Sequence, residues 1–336
     1  MSSYEPSYVP RFVVDVDGEQ FHEYTGEVTE VVADTTTDGA DHCSFTLIHP
    51  FDHEQVDFDG LNIDDFEHGG AVEVKMGYGH QDDSLTTVFT GEIYSIEGSF
   101  PAGQPPSVRV SAYGPLHTMM QGTSSNTWEE SSLKDVVTDL SQPYFDETTI
   151  EKATIEKDAF IQNDQNDYRY VSSLADKYGF ECFSSLGEFF FRPTDGSTRE
   201  ELDTKLYFGE TLESFTVEES TANQIGSVTV RHWDDEQQEA IVGTAKGDDD
   251  ATGEEVYRIP VESETEAEAI AKAKVQRESI SGSGETFGIP EISAGTVITI
   301  DGVGEKFSGD YYVTRATHRI GASGYTMSFD VSGHGE

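Results

Sequence analysis

Basic residues are scarce in this 336-residue chain: 20 Lys and Arg stand against 65 Asp and Glu, for a formal net charge of −45. Binding to naked nucleic acid needs a basic face to neutralise phosphates, so direct nucleic-acid recognition is not expected. No run approaches the ~18 apolar residues of a membrane-spanning helix, and no membrane insertion is expected. The start, MSSYEPSYVPRF, lacks the basic and apolar regions of a secretory signal. Two cysteines, Cys43 and Cys182, are too few for a disulfide framework or a cysteine zinc site; their apolar, strand-like contexts predict buried thiols. The G-x-S-x-G, P-loop and H-E-x-x-H motifs are all missing, and Gly282-Ser-Gly284 lacks the strand-to-helix setting of a dinucleotide fingerprint. Leucine is sparse too, at 11 residues. Val and Ile number 44, and Phe and Tyr add 35, a balance that suits pleated, half-buried surfaces. With 32 scattered glycines supplying turns, the composition is mostly β.

The acids are spread along the whole chain. Such a surface repels itself at low ionic strength, and molar salt, with a Debye length of ~3 Å, removes most of that penalty. The charge therefore predicts a protein of a salt-in halophile, assembled in a briny cytoplasm. It also strips acid pairs of catalytic meaning, because acids are everywhere.

Strand patterns cover 11–16 and 19–24, joined by Asp17-Gly18 as a hairpin turn, then 27–32, 43–48, 71–76, 87–96 and 108–113. Between 115 and 180 the period changes. Leu133, Val136, Val137 and Leu140 mark one helix with Ser132 and Asp135 as capping candidates; Tyr168, Val171, Leu174, Ala175 and Tyr178 mark another, closed by Gly179. Strands resume at 188–192, 211–218 and 227–233, and 247–255 reads as an acidic hairpin tip or insert. Ser263 with Glu266 opens an Ala-rich helix reaching about 279, and strands at 296–300, 311–319 and 325–331 finish the chain.

An internal repeat is the most informative feature. Residues 70–79 (GAVEVKMGYG) match 295–304 (GTVITIDGVG), and 89–94 (FTGEIY) match 307–312 (FSGDYY), in the same order with the offset changing only in the intervening loop. Each copy reads as strand, glycine-containing turn, strand, which points to a duplicated β-domain. Gly91 and Gly309 fall early in the second strand, where an interior glycine marks a bulge or sharp bend. Candidate chemistry is thin. His49, Asp52 and His53, with His42 nearby, are better read as loop histidines than as a metal site. Asp15-Val-Asp17-Gly18 and Asp57-Phe-Asp59-Gly60 lack the full calcium-loop series, and the run Asp248-Asp249-Asp250 offers only weak cation binding. Trp128 suits a core and Trp233 an edge or loop. No catalytic residue, cofactor or metal ligand is assigned.

Against this background, the C-terminal third resembles the phage late control D family of tail-hub proteins, which includes contractile-phage baseplate hubs and the first half of type VI secretion spike proteins. The matching residues are Gly288-Ile-Pro290, 295–302, 307–313, Thr317-His318-Arg319-Ile320 and Gly324-Tyr325 onward, preceded by the Glu-Ala-Glu-Ala helix around 266–271. The segment 168–180 with 187–193 is similar to the family's connector helix and the strand after it, and 70–79 with 89–93 to its first barrel. The resemblance implies two tandem similar β-barrel domains, 1–115 and 186–336, the latter with a packed helix near 263–280, joined by a small α-helical connector at 116–185. It also implies a structural baseplate hub, assembled as a homotrimer, that adapts a threefold spike to a sixfold inner tube and meets baseplate wedge proteins. The sequence reaches Glu336 without the further domain, needle repeat or lysozyme domain of longer relatives, so the spike is expected to be a separate chain. The particle would be a virus tail or an injection machine. A β-rich surface or carbohydrate-binding module and a halophilic hydrolase are the alternative readings.

Overall fold

The chain opens on the hairpin that its Asp-Gly pair predicts. In the computed structural model, which describes residues 9–22, 28–52, 54–55, 57–59, 62–79, 84–194, 196–220, 224–235, 237–247, 251–275 and 280–335, β1 (Pro10–Val16) turns through Asp17 and Gly18 into β2 (Glu19–His22). Both turn residues have positive φ, 50° and 90°, the type I′ geometry whose twist suits a hairpin. There follow β3 (Val28–Thr36), β4 (His42–Ile48), the short pair β5 (Phe51–Asp52) and β6 (Asp57–Phe58), then β7 (Ala71–Tyr78), β8 (Thr86–Ser99) and β9 (Ser107–Tyr113). Apart from β5 and β6, these strands pair in the order β3-β4-β9-β8-β7-β1-β2. Alternate residues such as Val108, Val110 and Ala112 point into one core with Val14, Val31, Phe45, Val74 and Phe89.

The middle of the chain carries α1 (Leu116–Met119), β10 (Ser124–Ser132), α2 (Leu133–Ser141), β11 (Glu147–Ile150), β12 (Glu156–Gln165), α3 (Asp167–Tyr178), β13 (Phe180–Ser185) and β14 (Glu188–Pro193). Ser132 caps α2 through a reciprocal box with Asp135, and Gly179 ends α3 in the left-handed region at φ 78°, both as the sequence predicts. The connector thus holds its helices but adds strands that no alternation announced. β10, SSNTWEESS, has a single large apolar residue, Trp128, which stacks on Tyr170 at 5.9 Å.

The last third contains β15 (Glu200–Tyr207), β16 (Leu212–Glu219), β17 (Ser227–Asp234), β18 (Glu239–Lys246), β19 (Glu254–Arg258), α4 (Glu264–Val275), β20 (Ile280–Phe287), β21 (Thr296–Asp301), β22 (Gly309–Gly321) and β23 (Gly324–Gly335). Strands β16-β20-β23-β22-β21-β15 form the second half of the large sheet, over Ile298, Ile300, Tyr311, Val313, Met327 and Phe329. β22 also pairs antiparallel with β3, so the two halves share one continuous ladder. Mostly β architecture with minor α is therefore what the chain adopts. The implied barrels differ in one respect: among the described residues the ladders run open, ending at β2 on one side and at β15 and β16 on the other. Strands β18-β17-β19 make a separate small sheet backed by α4, and their Val228, Val230, Ala267 and Ile270 share the core of the connector with Leu133, Val171 and Phe189.

Both repeat copies form antiparallel hairpins, β7 with β8 and β21 with β22, but the registers differ. Val72 faces Gly91, whereas its counterpart Val297 faces Tyr312, the counterpart of Tyr94. The two glycines do different work. A Cβ on Gly91 would lie 2.3 Å from the Tyr113 carbonyl oxygen, so that position is kept bare by close backbone approach; Gly309 is the first residue of β22, opposite Ile300. The sequence expectations for Tyr24, Glu27, His53, Gly60, the 80–83 loop, Asp248–Asp250 and residues 276–279 fall outside the described residues.

Candidate interaction sites

Three polar joints tie the parts of the chain together. At the seam between the two halves, Arg315 on β22 clasps Asp34 on β3, with its Nε 2.9 Å from Oδ1, while Thr317 donates to the same carboxylate at 2.9 Å. Arg319 pairs with Glu30 two pleat repeats, four residues, further along the two strands. Beneath them His318 is fully buried. Its Nε2 lies 2.9 Å from the Ile292 carbonyl and its Nδ1 2.9 Å from the Tyr325 hydroxyl. A carbonyl can only accept, so Nε2 carries the proton and Tyr325 donates to Nδ1. Burial holds the imidazole neutral, lowering its pKa to about 4. Thr35 donates to the Ala316 carbonyl and accepts from the Ala294 N–H at 3.0 Å. The Thr317–Ile320 and Gly324–Tyr325 residues that carry the family resemblance are thus the ones that build this seam.

The second joint is Glu266. Sequence reading makes it the acidic member of a capping box, and Ser263 does accept the Glu266 N–H at 3.1 Å. Its carboxylate, however, turns away from the Ser263 backbone into a buried position. Oε1 accepts from Lys157 of β12 at 3.1 Å, Lys177 of α3 at 2.9 Å and the Tyr178 hydroxyl at 2.8 Å, and Oε2 from the Glu262 N–H at 2.9 Å. Burial alone would raise this carboxyl, but those donors outweigh it and hold the pKa at about 2. Helix α4 is thereby bolted to the connector. The bolt fits because neighbouring glycines let backbones touch: a Cβ on Gly243 of β18 would sit 2.2 Å from the Glu268 nitrogen, and one on Gly179 3.1 Å from the Ala273 Cβ.

The third joint centres on Arg192 of β14, which is 4% exposed. It donates to Glu181 at 2.8 Å and to the Gly295 carbonyl at 2.6 Å, while Tyr312 donates to Glu181 at 2.9 Å. Its guanidinium lies 5.0 Å from the Phe183 ring centroid, and Arg199 stacks 3.6 Å over Tyr312. Burial opposes the charge on Arg192, yet Glu181 and Tyr312 raise its pKa above the ordinary value. This joint fastens the connector sheet to the second half.

The sequence candidates for chemistry stay apart. His42 lies against Tyr113, and His49 reaches the Asp59 carbonyl at 3.3 Å. Among the described residues no group of three or more His, Cys, Asp and Glu comes together in a way that could hold a metal ion. Cys43 and Cys182 are buried thiols, with Cys182 pushed up to about 12 chiefly by burial and Cys43 raised for the same reason. Asp15 and Asp17 work as turn and strand-end acceptors, for Gly18 and Ala71 N–H groups at 2.9 Å. Trp233 is 57% exposed on β17. One broad cleft is lined by Asp146, Glu147, Glu188, Glu200, Glu291 and Arg192, carboxylates of one sign beside a guanidinium already engaged by Glu181. The tertiary roles of Glu266 and Arg192, as distinct from the helix-start position of Glu266, were not legible in the sequence, for different reasons. One acid among 65 gives no signal, whereas Arg192 is one of ten arginines, and scarcity alone marks such positions for attention.

Comparison with known proteins places this arrangement. The fold matches the 43 kDa tail protein of prophage MuSo2 from Shewanella oneidensis with a TM-score of 0.72 at 11% identity, covering 96% of this chain and 98% of that one. It matches the tail protein from Neisseria meningitidis MC58 with a TM-score of 0.71 at 12% identity, covering 97% of each. The E. coli c3393 protein, described as a component of the type VI secretion system, matches with a TM-score of 0.59 at 11% identity, covering 92% of this chain and 74% of that one. No curated relative matches the sequence. The resemblance to tail and type VI secretion proteins thus holds at the level of the fold, while the family match is not to late control D but to the Alg8 N-terminal domain, over residues 7–322. Spanning nearly the whole length, that match decides membership: the chain belongs to the Alg8 N-terminal domain family.

Proposed function

We propose that the protein is a structural, non-enzymatic hub in the baseplate of a contractile tail-like particle, of the late control D type. Three copies form a ring that adapts a threefold spike to a sixfold inner tube, with wedge proteins around it. The observation that carries this reading is the duplicated hairpin set into two halves of one ladder through the β22–β3 pairing. Two similar halves per subunit, taken three times, present six comparable elements to a sixfold tube. The likeness to two tail proteins over almost their full lengths supports a place in the same kind of particle. The division at residues 115 and 185 belongs to the proposal, with the qualification that 225–275 packs on the connector core. The charge of −45 supports assembly in a salt-in halophile. Native mass spectrometry or light scattering in molar salt tests the oligomer: trimers, or larger assemblies built of trimers, are expected, and a stable dimer would refute the ring.

A further inference from the structure

The small sheet β18-β17-β19 has two unlike faces. Its inner face sets Val228, Val230, Gly243 and Ala245 against α4 and the connector core. Pairing fixes what lies outside. Trp233 is opposite Ala240; Arg231 lies between Val242 and Arg258; Thr229 between Thr244 and Val256; and Ser227 between Lys246 and Glu254. Trp233, Val256 and Val242 are 57%, 52% and 36% exposed, and Arg231, Arg258 and Lys246 are exposed beside them. Among the described residues of these three strands, the face carries three basic residues against the single acid Glu254, the reverse of the sign that 65 acids and 20 bases give the chain as a whole.

The placement is unfavourable in the isolated chain. Arg231 and Arg258 are direct cross-strand neighbours, and like charges so placed repel. Elsewhere Lys157, Lys177, Arg192, Lys205, Arg315 and Arg319 pair with this chain's own acids, but Arg231, Arg258 and Lys246 have no ion-pair partner among the described residues. An exposed tryptophan with two valines, ringed by unpaired cations, has the make-up of a binding surface for a carboxylate-rich protein face.

We infer that this face docks on the acidic surface of a second copy of the chain. Charge complementarity selects the occupant: a copy carries −45, so nearly any other part of its surface offers carboxylates to Arg231, Arg258 and Lys246 while covering Trp233, Val242 and Val256. Two such basic faces would repel each other, so the contact is heterologous, head to tail, the kind that closes a ring. The inference rests on the trimer reading and adds the surface that makes it.

Light scattering in about 1 M KCl, where distant repulsion is screened, compares wild type with Arg231→Glu/Arg258→Glu, with Trp233→Ser, and with Lys134→Glu on the exposed side of α2 as a charge control. Circular dichroism checks that each variant folds. The expected result is trimers for wild type and the control, and at least a roughly tenfold rise in the concentration needed for half-assembly of the other two. Trimers of unchanged affinity in all four would overturn the inference and leave the trimer standing; a monomeric wild type would overturn both. Variants that trimerise normally but fail to enter the particle would assign the face to a different chain, and so also overturn the inference.

Discussion

Replacing Glu266 by glutamine keeps the shape of the side chain and removes the charge at the centre of the α4 bolt. The wild-type carboxylate accepts four hydrogen bonds, three at Oε1 and one at Oε2. A glutamine has one oxygen, and its amide nitrogen then faces either the Glu262 N–H or the lysine and tyrosine donors. Two routes give the cost. The pKa is held at about 2 against an ordinary 4.5, and a shift of that size is worth about 3 kcal/mol at neutral pH. Breaking a buried ion pair by removing one partner costs ~3–5 kcal/mol, and the lower end applies because Lys157 keeps Glu262 at 3.0 Å while Lys177 is 32% exposed and can rehydrate. With an unfolding entropy of ~2.1 cal/mol/K per residue, about 3 kcal/mol lowers a two-state melting temperature by about 4 °C. The carboxyl's folded pKa is depressed, so its contribution is present above about pH 4.5 and lost as pH falls toward about 2. Urea titrations of wild type and Glu266→Gln in molar KCl at pH 7 and pH 2.5 should show a clear gap that closes in acid. Equal midpoints at pH 7, or a gap that persists unchanged at pH 2.5, would refute the reasoning.

Thermal melts from roughly 0.1 M to 3 M KCl should rise steeply, because the self-repulsion of −45 is screened over this range; a flat profile removes the halophilic account. Gly243→Ala places a Cβ 2.2 Å from the α4 backbone and should cost about 3 kcal/mol by chemical denaturation, whereas Gly103→Ala, with nothing within 4 Å, should cost about 1 kcal/mol from its positive φ alone. His318 is neutral in the fold, with a pKa of about 4, so stability should fall as pH drops from about 6.5 to 4; His318→Gln should flatten that slope, and an unchanged slope counts against the buried neutral ring. Asp41 acts in the opposite sense. Its carboxyl is pushed up to about 8 by burial, so its favourable contribution fades as pH rises from 3.8 toward 8, and Asp41→Asn should gain stability over wild type at pH 8 relative to pH 5.

Much of the ladder is legible where one face of a strand is buried. The apolar alternation of β4, β7, β9, β21 and β23 shows through even an acidic sequence, because a half-buried strand must repeat every two residues. β20 hides, since a neighbour supplies its apolar cover: a Cβ on Gly284 would lie 2.4 Å from the Phe329 ring, so glycine stands where a strand former would otherwise signal. β10 hides because it lies exposed, carried by pairing with β12. The repeat could be read from its glycines, but not the three-residue difference in register, which is fixed by pairing between strands and not by either strand's own pattern. Local signals such as the Ser132 box and Gly179 cap need only neighbouring residues, and they were readable. Glu266 is held by lysines 89 and 109 residues away, Arg192 by Glu181 11 and Gly295 103 residues away, and Arg231 faces Arg258 across a parallel pair, all beyond any local pattern.

How many copies sit in the particle, and how their halves are arranged, distinguishes a hub ring from any other place in the tail. A cryo-electron microscopy reconstruction of the particle tip measures both. Three subunits are predicted, their six half-sheets arranged as a ring against the first layer of tube proteins, with the spike on the opposite face. Two or six copies, or a ring in which the two halves of each subunit take no equivalent place beneath the tube, would contradict it.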